Sequence, residues 1–181
     1  EHSGTHVDAP AHFISDAKPD AHVTIDQVPV NQMVGRGARL NCRNFREGDY
    51  VSRTFVAAWE AEHGALREGD IVLFDFGWAE HWRLRPDHRR YIQDWPGVSM
   101  EAAQYLVAKP VAALGVDTLS PDPPEAHRRK VAIHPIVLEK QVLIIENLAN
   151  LGQLPDFFLF LAFPLKIRGG SGSPVRAVAF V

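Results

Sequence analysis

The chain has 181 residues, 46% of them apolar and 23% charged, with a formal net charge of −3. That length suits one domain with a sizeable core, and the balance is that of a globular protein. The charge excludes a nucleic-acid partner of the usual basic kind, and no apolar run is long enough to span a bilayer.

The first thirteen residues hold the densest chemistry. His2, His6 and His12 lie there, three of nine histidines, with Asp8 among them. Imidazole and carboxylate together suit a divalent transition metal. Gly4 and Pro10 oppose a helix, so an extended segment is expected. On a strand His6 and Asp8 point to the same side, and a turn at Ser3-Gly4 swings His2 back beside them.

Ile14–Asn31 is polar and punctuated by proline. It reads as a loop with a short strand at Val23–Ile25. Gly37–Cys42 is a strand candidate. Cys42, the single cysteine, cannot form a disulfide within the chain and reads as a buried, inert thiol. A cytoplasmic location is expected. Thr54–His63 reads as a helix capped by Thr54 and ended by Gly64, with Phe55, Ala58 and Trp59 at helical spacing. Ile71–Phe76 follows as a mostly buried strand. Trp78–Asp94 has no clean period and reads as a long loop or broken helix.

Ser99 is expected to cap a second helix, Met100 to about Ala108, with Ala103, Leu106 and Val107 inward. Gly115–Leu119 is the next strand, so strand, helix and strand form a crossover unit. Pro121–Pro124 is a rigid loop, and His127–Glu139 reads as short helical pieces broken at Pro135. Val142–Glu146, Phe157–Ile167 and Val175–Val181 are the last strands, the final two joined by Gly169–Ser173. The basic stretches Arg83–Arg90 and His127–Lys130 read as solvated faces or subunit contacts.

Two residues of the second half stand out. Glu146 closes an apolar strand, where a buried carboxylate is costly unless paired or metal-bound. His134 precedes Pro135, which biases it to an extended conformation. Taken alone, Glu146 reads more readily as a solvated strand end and His134 as a hydrogen-bonded core residue than as ligands.

The stretch His2-Ser3-Gly4-Thr5-His6-Val7-Asp8-Ala9-Pro10-Ala11-His12-Phe13 resembles the signature of the cyclase family of metal-dependent hydrolases. The resemblance continues, in order, through Gly69–Leu73, Pro96–Ala103, Gly115–Ser120, Ile145–Leu148 and Gly172–Ala177. It implies a single α/β domain over residues 1–181, with one mixed sheet of the swivelling β/β/α kind and flanking helices. It implies that His2, His6 and Asp8 bind zinc or manganese, that His134 and Glu146 complete a site of one or two ions, and that His12 transfers protons. The implied reaction is hydrolysis of a non-peptide amide C–N bond in a small, aromatic or cyclic substrate, by a homodimer or homotetramer. A lactone hydrolase or a dehydratase would carry the same motif; a purely metal-binding protein is the third alternative, and His12 argues against it, since a binding site needs no base there. Phe74, Phe76, Trp78, Trp82 and Trp95 are candidates both for a flat substrate pocket and for plain core. Members of the family carry strands and loops before the motif. None precedes Glu1 here, so an N-terminal segment is expected to be missing and His2 to lie at an end free to fray.

Overall fold

The computed structural model describes residues 1–181. In chain order its strands and helices are β1 (His6–Asp8), β2 (Val34–Asn41), β3 (Tyr50–Val51), α1 (Arg53–His63), β4 (Ile71–Asp75), β5 (Gly97–Val98) and α2 (Met100–Val107). Then come β6 (Ala113–Val116), α3 (Ala126–Arg129), α4 (His134–Leu138), β7 (Leu143–Glu146), β8 (Phe157–Leu161), β9 (Gly172–Pro174) and β10 (Val178–Phe180). Eight strands form one mixed sheet in the order β10-β8-β2-β4-β6-β7-β1-β9, and β3 pairs with β5 apart from it. The fold is the mixed α/β architecture expected.

The centre of the sheet is parallel, from β2 through β4 and β6 to β7. Parallel neighbours need crossovers, and α1, α2 and the α3–α4 segment supply them in turn. Both faces are therefore covered, and the strands alternate between two cores. On the helix side Val72, Phe74, Leu114 and Ile144 pack against Val56, Trp59, Leu106, Val137 and Leu138. On the other side Ile71, Leu73, Leu143 and Ile145 meet Phe158, Phe160, Ile25 and Met33. Burying each large side chain contributes about 1.5–3 kcal/mol. At Gly115, a Cβ would fall 2.3 Å from the Leu73 side chain, so this position on β6 needs the missing side chain.

Several local expectations shift. The α1 cap is Ser52, whose Oγ accepts from the Phe55 N–H at 3.2 Å, and Val56 and Trp59 form its buried face while Ala58 is exposed. Gly64 ends α1 at φ +115°, and Ser99 caps α2, both as expected. Val23–Ile25 forms no strand. It is tied in by the Ala11 N–H on the Val23 carbonyl and the Ile25 N–H on the Gly170 carbonyl, with the Ile25 side chain buried. Pro135 begins α4 instead of breaking a helix, because the first turn needs no N–H from it. The Gly/Ser stretch before Pro174 is more than a joint: Gly172–Pro174 becomes β9 and pairs with β1. Residues 78–94 form two short 3-10 turns within a loop.

Candidate metal centre

The site forms where β1 lies antiparallel to β7. His6 is the register partner of Glu146, so both side chains leave neighbouring strands on one face. Asp8 follows two residues on and shares that face, while Val7 between them enters the opposite core. His134 arrives at the start of α4. Gly4 adopts φ +62°, a left-handed turn that brings His2 back over Asp8.

The five expected ligands meet. His2 Nδ1 is 2.6 Å from Asp8 Oδ1, and His6 Nε2 lies 3.4 Å from Asp8 Oδ1 and 3.3 Å from Glu146 Oε2. His134 Nε2 lies 3.5 Å from Asp8 Oδ2 and 3.3 Å from Glu146 Oε1. His6, Asp8, His134 and Glu146 are all buried. The four separations of 3.3–3.5 Å are too long for strong hydrogen bonds. They match the spacing of two ligands on one tetrahedral ion, about 3.4 Å for metal bonds of about 2.1 Å. Asp8 Oδ2 is buried without a hydrogen-bond partner, an expensive state that a bound cation relieves. His2, Asp8 and His12 form one group of closely spaced donor atoms, and His6, Asp8 and Glu146 form another, with Asp8 common to both. The residues fit a divalent ion and have the composition for two.

Two imidazoles are aimed. His6 Nδ1 is 2.8 Å from the Gly4 carbonyl, which only accepts, so Nδ1 carries the proton and Nε2 faces the cluster. His134 Nδ1 lies 2.6 Å from Asp122 Oδ2 with the same consequence. The chain end is tied down: Glu1 accepts from the Ser171 N–H at 2.7 Å, and His2 Nε2 lies 2.8 Å from Ser171 Oγ. The expected fraying of His2 is thus opposed by β9 and the residue before it.

Charges follow from this crowding. Burial alone would lower the pKa of His6, but hydrogen bonds to Asp8 and Glu146 push it up to about 10. His134 is likewise buried, yet Asp122, Asp8 and Glu146 hold it well above the usual imidazole range. Burial would raise Asp8, and the imidazoles of His134, His2 and His6 instead hold it far below the usual carboxylate range. His12 goes the other way: burial lowers its pKa, with Asp8 opposing. Its ring stacks on His2 with centroids 4.0 Å apart, and Phe13 beside it lies 4.7 Å from the His134 ring.

An apolar-lined cavity of about 340 Å³ adjoins the motif, bounded by Gly4, Thr5, Trp82, Tyr91, Asn147 and Leu148. Of the five candidate aromatics, Phe74, Phe76, Trp78 and Trp95 are buried core, and Trp82 alone lines this cavity. A larger cavity of about 650 Å³ runs past the ends of β2 and β4, but it is polar, lined by Arg39, Arg43 and Asp75, and holds none of the motif residues. No sequence signal points to Asp122, which lies in the proline-rich loop, or to Ser171.

A mixed sheet with imidazoles and carboxylates gathered where β1 pairs with β7 defines a metal-dependent hydrolase. Residues 1–123 match the family model described as putative cyclase, and the chain belongs to that family. It is 29% identical over 193 residues to an isatin hydrolase of Roseibium aggregatum, covering all of this chain and 72% of that protein. It is 30% identical over 178 residues to a kynurenine formamidase of Erythrobacter litoralis, covering 98% of this chain and 72% of that one. Among solved structures, an isatin hydrolase bound to the product analogue thioisatinate superposes with a TM-score of 0.90 at 28% identity, over 99% of this chain and 72% of that one.

Proposed function

We propose that the chain hydrolyses the C–N bond of a small aromatic or cyclic amide, with His2, His6, Asp8, His134 and Glu146 holding one or two zinc or manganese ions and His12 moving protons. The observation that carries this is the convergence of three imidazoles on Asp8, two of them shared with Glu146, while the buried Asp8 Oδ2 has no hydrogen-bond partner. A bound ion supplies Lewis acidity and lowers the pKa of water to about 7.

The residues divide the remaining work. Asp8 faces His2 and His6 with Oδ1 and His134 with Oδ2, and Glu146 spans His6 and His134 with its two oxygens. His12 is more exposed than these and keeps a depressed pKa, so at neutral pH its ring is a free base. It takes a proton from the attacking water and passes it to the leaving nitrogen. The Trp82, Tyr91 and Leu148 side of the adjoining cavity takes the flat apolar part of the substrate. The names of the relatives, isatin hydrolase and kynurenine formamidase, support an aryl amide.

Residues 1–181 act as one domain in this reading, and the working form is a homodimer or homotetramer. The exposed Leu159, Val178 and Phe180 on the outer strands β8 and β10 support an association surface. A cytoplasmic site of action is supported by Cys42, which is buried and free. No helix is long and apolar enough to cross a membrane.

The test is metal analysis followed by hydrolysis assays on N-formylkynurenine and isatin, with and without chelator. Chelator-sensitive turnover of either is expected. Bound metal without chelator-sensitive turnover of any amide refutes the reading.

A further inference from the structure

Asp122 is nearly as enclosed as the proposed ligands themselves, at 3% exposure, yet it touches none of the substrate cavity. All of its side-chain hydrogen bonds go to the segment that carries His134. Its Oδ1 accepts the Ile133 N–H at 2.7 Å, and its Oδ2 accepts the His134 N–H at 3.2 Å and faces His134 Nδ1 at 2.6 Å. The first two are the N–H groups that the start of α4 leaves without helical partners.

The loop around it is built to be stiff. Pro121 and Pro123 flank it, its own N–H donates to Ser120 Oγ at 3.1 Å, and the Trp95 indole N–H donates to its carbonyl at 3.1 Å. The Val98 N–H donates to the Pro121 carbonyl at 2.9 Å, and Gly97 leaves the space: a Cβ there would fall 2.3 Å from both the Pro121 carbonyl oxygen and the Pro123 ring. A carboxylate held this firmly has little freedom to follow a moving imidazole, so the imidazole takes its place from the carboxylate.

We infer that Asp122 is the positioning residue of the metal centre. It fixes the proton of His134 on Nδ1 and the ring plane toward Asp8 and Glu146, so that Nε2 is presented to the ion as a ready ligand. His6 receives the same service from a backbone carbonyl. His134 has to travel from a short helix on a different part of the chain, and the side chain of Asp122 locks it there. Outer carboxylates of this kind raise ligand basicity, and their loss typically lowers metal affinity about 10–100-fold.

The inference rests on the proposed metal site, and the experiment separates the two. Wild type, Asp122→Asn and Asp122→Leu are stripped of metal and titrated with zinc against a competing chelator, and with cobalt followed by visible absorption. Their metal-free melting temperatures are measured alongside. Asp122→Asn keeps the oxygen that accepts the Ile133 N–H but sets an uncharged NH2 donor in place of the Oδ2 that accepts the His134 N–H and holds the His134 proton. It is expected to bind zinc about 10–100-fold more weakly, with an altered cobalt spectrum and a melting temperature close to wild type. Asp122→Leu is expected to lose the helix-start bonds as well and to melt lower. Zinc affinity and cobalt spectrum of Asp122→Asn equal to wild type overturn the inference while leaving the metal site intact. Affinity that falls only in step with melting temperature across both variants overturns it too, as the mark of a purely structural role. A wild-type protein that binds neither metal removes the site and this inference together.

Discussion

His12→Ala separates proton transfer from metal binding. His12 stands next to the ligand set: its ring lies 4.0 Å from that of His2 and 6.0 Å from that of His134, and its nitrogen belongs to the donor group of His2 and Asp8. As a proton-transfer residue it contributes on the order of 10²–10⁴ in rate, about 2.7–5.5 kcal/mol of barrier. The stack on His2 accounts for about 0.5–1.5 kcal/mol of stability, too little to unfold the chain. His12→Ala is therefore expected to lose two to four decades of kcat, keep its metal content and melt within a few degrees of wild type. Its pH profile is a second signature. The pKa of His12 is held below its ordinary 6.5, chiefly by burial, so the wild-type rate should rise with pH through a midpoint below that value. The variant should lose that limb. Turnover under saturating substrate and metal analysis of the same samples decide the matter. Loss of metal makes His12 a ligand, and a rate loss below tenfold denies it the proton-transfer role.

Asp8→Asn leaves three imidazoles facing an amide where they had a buried carboxylate, a class of change that costs about 3–5 kcal/mol. It is expected to abolish metal binding and lower the melting temperature, and retained metal stoichiometry would contradict this. In the metal-free protein His6 is charged at pH 8, because its pKa is raised to about 10, and His134 is shifted in the same direction. Ion binding should then release protons, visible by calorimetry in buffers of different ionisation enthalpy, and release of none would refute the charge assignment. A raised folded pKa for His6 stabilises fully below its unfolded value of 6.5, and that contribution is lost as pH rises to about 10. Metal-free protein should therefore melt progressively lower from pH 7 to 10, which a flat profile would contradict. Trp82→Ala should raise KM for an aryl amide by about tenfold with kcat little changed. Equal KM values would remove Trp82 from the substrate cavity.

What the chain order reveals about this site is uneven, for physical reasons. Side-chain alternation on an extended segment is local, so His6 and Asp8 on one face, and the return of His2 at Gly4, were legible. Pairing between distant strands is not local. Nothing in Val142–Glu146 by itself tells that Glu146 lies opposite His6, and that register turns a strand-end carboxylate into a neighbour of His6. For Glu146 and His134 the family signature carried the expectation, while the residues alone favoured bland roles. The error at His134 has a clear cause. The residue before a proline avoids helical geometry on average, but here Asp122 accepts the N–H groups at the helix start and draws that segment into α4. β9 was missed because glycine and serine carry no strand signal, and only its neighbour β1 makes it one. The aromatics divided by burial, a tertiary property: four entered the helix-side core, and Trp82 stayed at the cavity.

The central claim is that the junction of β1 and β7 is a metal centre built on Asp8. An anomalous-scattering map of crystals grown with manganese or zinc tests it most directly. One or two peaks are predicted, within about 2.0–2.3 Å of Asp8 oxygens and His or Glu146 donor atoms, with His134 Nε2 among them. A map without a peak between Asp8 and Glu146, or with its peaks on other residues, contradicts the account.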